Sequence, residues 1–242
     1  MRKEVIIVND FYKNPDEVIT YARSLKYYSP WDNNGVGSSK KEDIERATRL
    51  VSFFKKAKDC PFKSSQNLIR TFESIIGEKI DMEHWNADFP ENPSDGSFLG
   101  VMKDVHVPKT ARWNATFQVK YNHGSAIHTH SDKVRDYWND VGENGWVGLI
   151  YLARNAPRNA GLTTYSNKFG NNKEWGTSLD RWQLLDDYAN IFNRLILTRG
   201  DIPHTGGDGF GDNFENARLF QTFFFKTIPE RSLDNCEIDF SH

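Results

Sequence analysis

A mainly β domain of the α+β class is what this sequence predicts. Its first third carries helical periodicity, the remainder changes to a period of two, and 242 residues are enough for one sizeable core. Val5 to Val8 reads as a strand. Asn14-Pro15-Asp16-Glu17 then reads as a helix start, with Asn as N-cap, Pro at the first helical position and acids at the positive end of the dipole. That helix runs to about Tyr27. Lys41 to Lys58 and Ser64 to Ile76 also show apolar residues at helical spacing, the second through Leu68, Ile69, Phe72, Ile75 and Ile76.

Pro90, Pro93, Ser94, Asp95 and Gly96 punctuate the chain, and short strand-like runs follow, separated by Gly, Asn and Asp. Strands are expected near Ser97 to Met102, Arg112 to Tyr121, Ala126 to His130, Trp146 to Ala153, Leu162 to Tyr165, Phe192 to Thr198 and Arg218 to Thr227. So many short strands with few helices among them predict a sandwich, jelly roll or barrel. One domain, 1–242, accommodates all of this: a helix-rich part over 1–95, a β core over 96–228 and a tail over 229–242.

Charge and cysteine usage narrow the function. Lys plus Arg total 31 against 33 Asp plus Glu, a formal charge of -2, which lacks the basic excess of a nucleic-acid binder. Cys60 and Cys236 have no CxxC partner, so neither a disulfide framework nor a thiolate zinc site is expected. No apolar run approaches a membrane span or a signal-peptide core, and the expected setting is the cytoplasm, with no membrane partner. Aromatics make up 14 % of the chain, so large rings are expected to carry the core.

Histidine is where chemistry becomes legible. In Ala126-Ile127-His128-Thr129-His130-Ser131-Asp132, strand alternation puts His128, His130 and Asp132 on one face. Imidazole and carboxylate at i and i+2 can chelate one cation, as in two thirds of a non-haem iron facial triad. Two registers are open: His130 with Asp132, or His128 with His130 in a three-histidine site. A distal histidine follows in Asn193 to Gly207, where an apolar strand and a Gly-Asp-Ile-Pro turn present His204. Farther on, Arg218 opens the β-like run Arg218 to Phe225, and an arginine on a strand beside a metal suits bidentate capture of a carboxylate.

Taken in order, His130-Ser131-Asp132, Gly148 to Leu152, Gly161-Leu162-Thr163-Thr164-Tyr165, Asn193 to His204 and Arg218 resemble the Fe(II)/2-oxoglutarate-dependent oxygenase superfamily, in its prolyl-hydroxylase-like branch, over roughly 97–228. The resemblance implies a double-stranded β-helix, cupin-like in form. It implies iron held by His130, Asp132 and His204, with His128, His130 and His204 as the alternative set. Arg218, with Tyr151 and Thr222, would contact the 2-oxoglutarate cosubstrate. The implied reaction consumes O2, oxidatively decarboxylates 2-oxoglutarate to succinate and CO2, and hydroxylates an unactivated C–H of an amino-acid-like or peptide substrate. Radical halogenases of the superfamily carry Gly or Ala where Asp132 stands, so Asp132 favours hydroxylation over halogenation, while desaturation would share the cofactor. A non-catalytic cupin-like protein holding zinc or nickel with three histidines is the reading from a different class.

The remaining candidates are weaker. His128, Arg112, Asn114 and Tyr121 are possible substrate contacts, while His84, His106 and His123 read as structural. Arg194 and Arg199 read as solvated or ion-paired surface groups. Asp208 to Asn213 lacks the ligand pattern of a calcium loop and reads as a lip over the site.

Overall fold

The structure, a computed structural model, describes residues 4–28, 49–52, 57–87, 113–121, 127–131, 139–174, 176 and 178–228. In chain order the elements are β1 (Val5–Val8), α1 (Pro15–Ser24), β2 (Tyr27–Tyr28), β3 (Arg49–Ser52), a 3-10 turn (Ala57–Asp59), α2 (Pro61–Ser64), α3 (Gln66–Ile76), β4 (Lys79–Ile80) and α4 (Met82–Trp85). Then follow β5 (Thr116–Lys120), β6 (Trp146–Tyr151), β7 (Leu162–Asn167), a 3-10 turn (Leu179–Arg181), β8 (Trp182–Tyr188), β9 (Leu195–Arg199), β10 (His204–Gly206), β11 (Arg218–Phe225) and β12 (Thr227–Ile228). The architecture is mostly β, with few helices, and every strand pair is antiparallel.

A seven-stranded sheet runs β1-β9-β6-β11-β5-β3-β2, and a three-stranded sheet runs β10-β7-β8. Strand alternation gives the large sheet two different faces. From one face Phe117, Val119, Trp146, Ile150, Leu195, Leu197, Leu219, Phe223 and Phe225 pack with Ile19, Leu68, Ile69, Phe72, Ile76 and Trp85 of the helices. From the other, Leu149, Tyr151, Ile196 and Phe220 meet Leu162 of the small sheet. Both faces of β11 are therefore covered, and all eight of its residues are buried. Rings dominate the helical side: Phe72 lies 4.9 Å from Phe223, 5.4 Å from Phe225 and 5.9 Å from Trp85, centroid to centroid. Each such ring fully removed from water stabilises the fold by about 1.5–3 kcal/mol.

Local signals explain the long helices. In α3 the Ser65 side chain accepts from Leu68 N, the buried residues Leu68, Ile69, Phe72 and Ile76 share one stripe, and Gly77 ends the helix at φ 76°. In α1 Asn14 sits at the N-cap position with Pro at the start, but its amide reaches Glu17 Oε1 at 3.3 Å instead of a backbone N–H.

Three expectations need correction. Within the helix expected over Lys41 to Lys58, Arg49–Ser52 is a strand paired with β5, because Leu50 and Val51 are buried on opposite sides of a sheet, as a strand requires. The strand expected over Ala126 to His130 is reduced to single bridges at Ile127 and His128. β8 was not anticipated: it lies at the end of the small sheet, Gln183 to Asp187 are exposed, and so its sequence carries no inward alternation. The strand expected over Ser97 to Met102 and the tail over 229–242 lie outside the described residues. Among those described, Cys60 is buried and free, and no helix is long and apolar enough to cross a membrane.

Candidate metal centre and anion cradle

β10 begins with His204, and its partner across an antiparallel bridge is His128. Each donates its backbone N–H to the other's carbonyl, at 3.0 Å from His128 and 2.9 Å from His204. His130 is fixed separately, its N–H donating to Gly200 O at 2.7 Å and its carbonyl accepting from Val141 N at 2.8 Å. The three rings then form a nearly equilateral triangle: 4.8 Å between His128 and His130, and 5.1 Å from each to His204. Their ligand atoms all lie within 4.8 Å of one another, the one cluster of this kind among the described residues.

The electrostatics suit metal ligation. His204 is buried, and burial, with His130 beside it, pushes its pKa down to about 3, so the imidazole is held neutral. Its Nδ1 faces Ile202 O at 2.9 Å, which places the proton there and leaves Nε2 as the lone-pair nitrogen. His130 packs edge-on against Phe224 at 5.0 Å, and Phe224 clusters with Val141 and Val147, giving the centre a dry wall.

At the far end of β10 lies Arg218, which is 1 % exposed. Its Nη1 donates to Gly207 O at 2.6 Å and its Nη2 to Gly161 O at 3.0 Å. Tyr151 is fully buried beside Arg218, whose guanidinium lies 5.7 Å from the centre of its ring. Burial raises its pKa to about 12, against the pull of Arg218. Gly206 lies beside this guanidinium: a Cβ there would sit in ordinary contact, 3.6 Å from Arg218 Nη1. Lys120, in register with Arg218 across β5 and β11, is buried to the same degree and donates from Nζ to Gly207 O at 3.1 Å. Sequence reading missed Lys120. Its only signal was a lone lysine on a strand whose other residues are inward-facing.

The other expected site residues divide clearly. Asp132 and Arg112 lie outside the described residues, as do His106 and His123. Thr222 faces the space between the sheets, but its hydroxyl is engaged with Trp113 O at 2.9 Å and Gln118 Nε2 at 3.0 Å. Asn114 is not brought to the histidines. Its amide donates to Trp85 O at 3.0 Å and accepts from Phe224 N at 3.0 Å, tying α4 to β11. Tyr121 packs against the helical core. His84 faces Asp140 O at 3.0 Å, a structural contact. Arg194 bonds Asn9 Oδ1 at 2.8 Å at the surface. Arg199 differs from expectation: only 6 % exposed, it pairs with Glu78 and lies 3.9 Å above the Trp146 ring. Beyond Asp208, Asn216 Oδ1 caps a turn by accepting from Asp212 N and Asn213 N.

No protein-family model and no curated protein matches this chain. Solved structures similar to it include an oxidoreductase of the 2OG-Fe(II) oxygenase family from Burkholderia pseudomallei, 10 % identical over 92 % of this chain and 84 % of that one, with a TM-score of 0.47. A Pseudomonas putida prolyl-4-hydroxylase is 11 % identical over 93 % of both chains, at a TM-score of 0.43. HygX from Streptomyces hygroscopicus, solved with nickel and 2-oxoglutarate bound, is 8 % identical over 92 % of this chain and 82 % of that one, at 0.48. At such likeness the functional reading has to rest on the residues of this chain.

Proposed function

We propose that this chain is an Fe(II)/2-oxoglutarate-dependent oxygenase, built as a double-stranded β-helix, that hydroxylates an unactivated C–H of an amino-acid-like or peptide substrate. The observation that carries the reading is the triangle of His128, His130 and His204, with a buried arginine at the other end of the strand that presents His204. Of the two registers, the triangle favours the three-histidine set. His128 bridges His204, and the His130 ring completes the triangle at 4.8 Å from His128 and 5.1 Å from His204.

The residues present fit both groups. Three neutral imidazoles leave a ferrous ion its full double charge, which a dianionic keto-acid offsets. Gly206 follows His204 by two positions on one face of β10, about 6.6 Å. The Arg218 guanidinium lies against it, 3.6 Å from where a Cβ would stand. The buried Arg218 guanidinium, with the Tyr151 hydroxyl beside it, marks where a ligand's oxygens would go. Iron, when bound, supplies activation of O2 coupled to decarboxylation of 2-oxoglutarate, yielding succinate and CO2. The protein's own part is positional. Arg218 holds the distal carboxylate, His204 keeps its proton on Nδ1 toward Ile202 O, and Phe224, Val141 and Val147 exclude water. Free buried Cys60 suits a reducing, cytoplasmic setting.

Purified protein given Fe(II), 2-oxoglutarate and O2 with a panel of amino acids and peptides is expected to release succinate, with an oxygen-containing product for at least one substrate. No succinate above the metal-free control with any substrate refutes the oxygenase. The three-histidine donor set also supports a second reading, a zinc- or nickel-holding binding protein. Tight zinc binding without succinate selects it.

A further inference from the structure

One tight turn holds two of the three histidines. It runs from Arg199 at the end of β9 to His204 at the start of β10, and Ile202 N closes it by donating to Arg199 O at 3.2 Å. Gly200 O takes the His130 N–H at 2.7 Å, and Ile202 O faces His204 Nδ1 at 2.9 Å. The turn is closely seated. A Cβ on Gly200 would stand 2.3 Å from Gly142 O and 2.5 Å from Val141 Cγ2, and Gly200 N donates to Gly145 O at 3.0 Å. Val141 N donates in turn to His130 O at 2.8 Å, so the main chain of His130 is gripped from one side by the turn and from the other by segment 141–145.

The Arg199 side chain spans the joint between those two segments. Its Nη1 donates to Asn144 O and, at 3.2 Å, to Glu78 Oε2, while Nη2 pairs with Glu78 Oε1. The guanidinium lies 3.9 Å from the centre of the Trp146 ring, the residue in register with Arg199 across β6 and β9. Glu78 comes one residue after Gly77, the C-cap of α3, so the turn is tied to the helical layer as well. A planar fork that is bidentate to a carboxylate and stacked on a ring fixes direction and not only charge.

We infer that Arg199, locked by Glu78, is a positioning residue for the metal centre: it sets the turn that orients the His130 and His204 imidazoles, and so tunes metal affinity through that turn and not as a ligand. The inference deepens the metal-centre reading and rests on His130 and His204 being ligands, which both registers share. It needs neither the cosubstrate nor the reaction. Ligands carried on separate segments hold an ion only while their separations stay fixed, and outer partners that fix them commonly account for about ten- to a hundredfold in affinity.

The test titrates the full chain with Co(II) alone, reading its affinity and the visible absorption of the bound ion, which reports ligand geometry. Arg199→Lys keeps the charge but loses the fork and the stacking, and Glu78→Gln keeps the size but loses the charge. Each is expected to weaken Co(II) by about tenfold or more and to alter the absorption band of the saturated protein. Phe72→Ala, which loosens the helical layer elsewhere, is expected to leave both at the wild-type level. Melting curves establish that the proteins compared are folded. Wild-type affinity or a wild-type band in either folded variant overturns the assignment, as does an equal loss in Phe72→Ala. If neither variant folds, amide exchange on the wild type decides. Because coupling between ion and clamp is reciprocal, Co(II) is expected to slow exchange over 76–80 more than over Pro15–Ser24, and equal slowing overturns the assignment. A wild type that binds no Co(II) refutes the metal centre and this inference with it. Weakened Co(II) binding in the variants, with no succinate from the Fe(II)-loaded wild type, leaves the inference standing and refutes the oxygenase alone.

Discussion

His128 and His204 exchange both backbone hydrogen bonds across an antiparallel bridge, which places their rings 5.1 Å apart on one side of the ladder. Two imidazoles are thus aligned by main chain alone, and His130, held through Gly200, completes the triangle. A preformed site of this kind binds metal in the folded state only. A divalent metal at about one hundred times its Kd is expected to stabilise the protein by about 2.7 kcal/mol, and His204→Ala to abolish that gain. Denaturant titration with and without metal measures it.

Tyr151→Phe separates stability from binding. The hydroxyl is buried beside Arg218, so its removal is expected to change stability by no more than about 1 kcal/mol. Affinity for 2-oxoglutarate is expected to fall by about fivefold or more, the cost of one hydrogen bond. Loss of stability with unchanged affinity contradicts a role in the cradle.

The Arg199–Glu78 pair sets an acid limit. Burial alone raises the Glu78 carboxyl, but hydrogen bonds from Arg199, joined by Thr227 and Trp146, outweigh it and hold the group below its ordinary range. A carboxyl lowered on folding binds fewer protons in the native state. Its contribution is complete above the unfolded value of about 4.3 and is lost as pH falls below it. Glu78→Gln leaves Arg199 buried without its charge partner and is expected to cost about 3 kcal/mol at pH 7. It is also expected to flatten the decline of stability below about pH 4.3. Urea unfolding across pH 3–7 reads both effects.

Phe72 ties the helices to the large sheet through Phe11, Trp85, Phe223 and Phe225. Phe72→Ala is expected to destabilise by about 3–5 kcal/mol while leaving the metal affinity of the folded fraction unchanged. A change in affinity of the folded protein would show that the helical layer shapes the site.

How legible this was in the sequence depended on where the forces act. α3 could be read because Ser65, the apolar stripe and Gly77 are all local signals. β11 could be read because the run Arg218 to Phe225 is rich in strand formers. β3 could not, since its strand state comes from pairing with β5, far along the chain. At the site, motif order singled out His204 and Arg218, but that His128 bridges His204 is a tertiary fact no local signal carries, and Asp132 lies outside the described residues. Lys120 was invisible for the same reason: only the fold brings it to Gly207.

Fe(II) stoichiometry of His128→Ala and Asp132→Ala, measured anaerobically beside the wild type, tests the three-histidine centre most directly. The account predicts that His128→Ala loses iron while Asp132→Ala keeps it. Iron retained in His128→Ala and lost in Asp132→Ala would contradict it and select the other register.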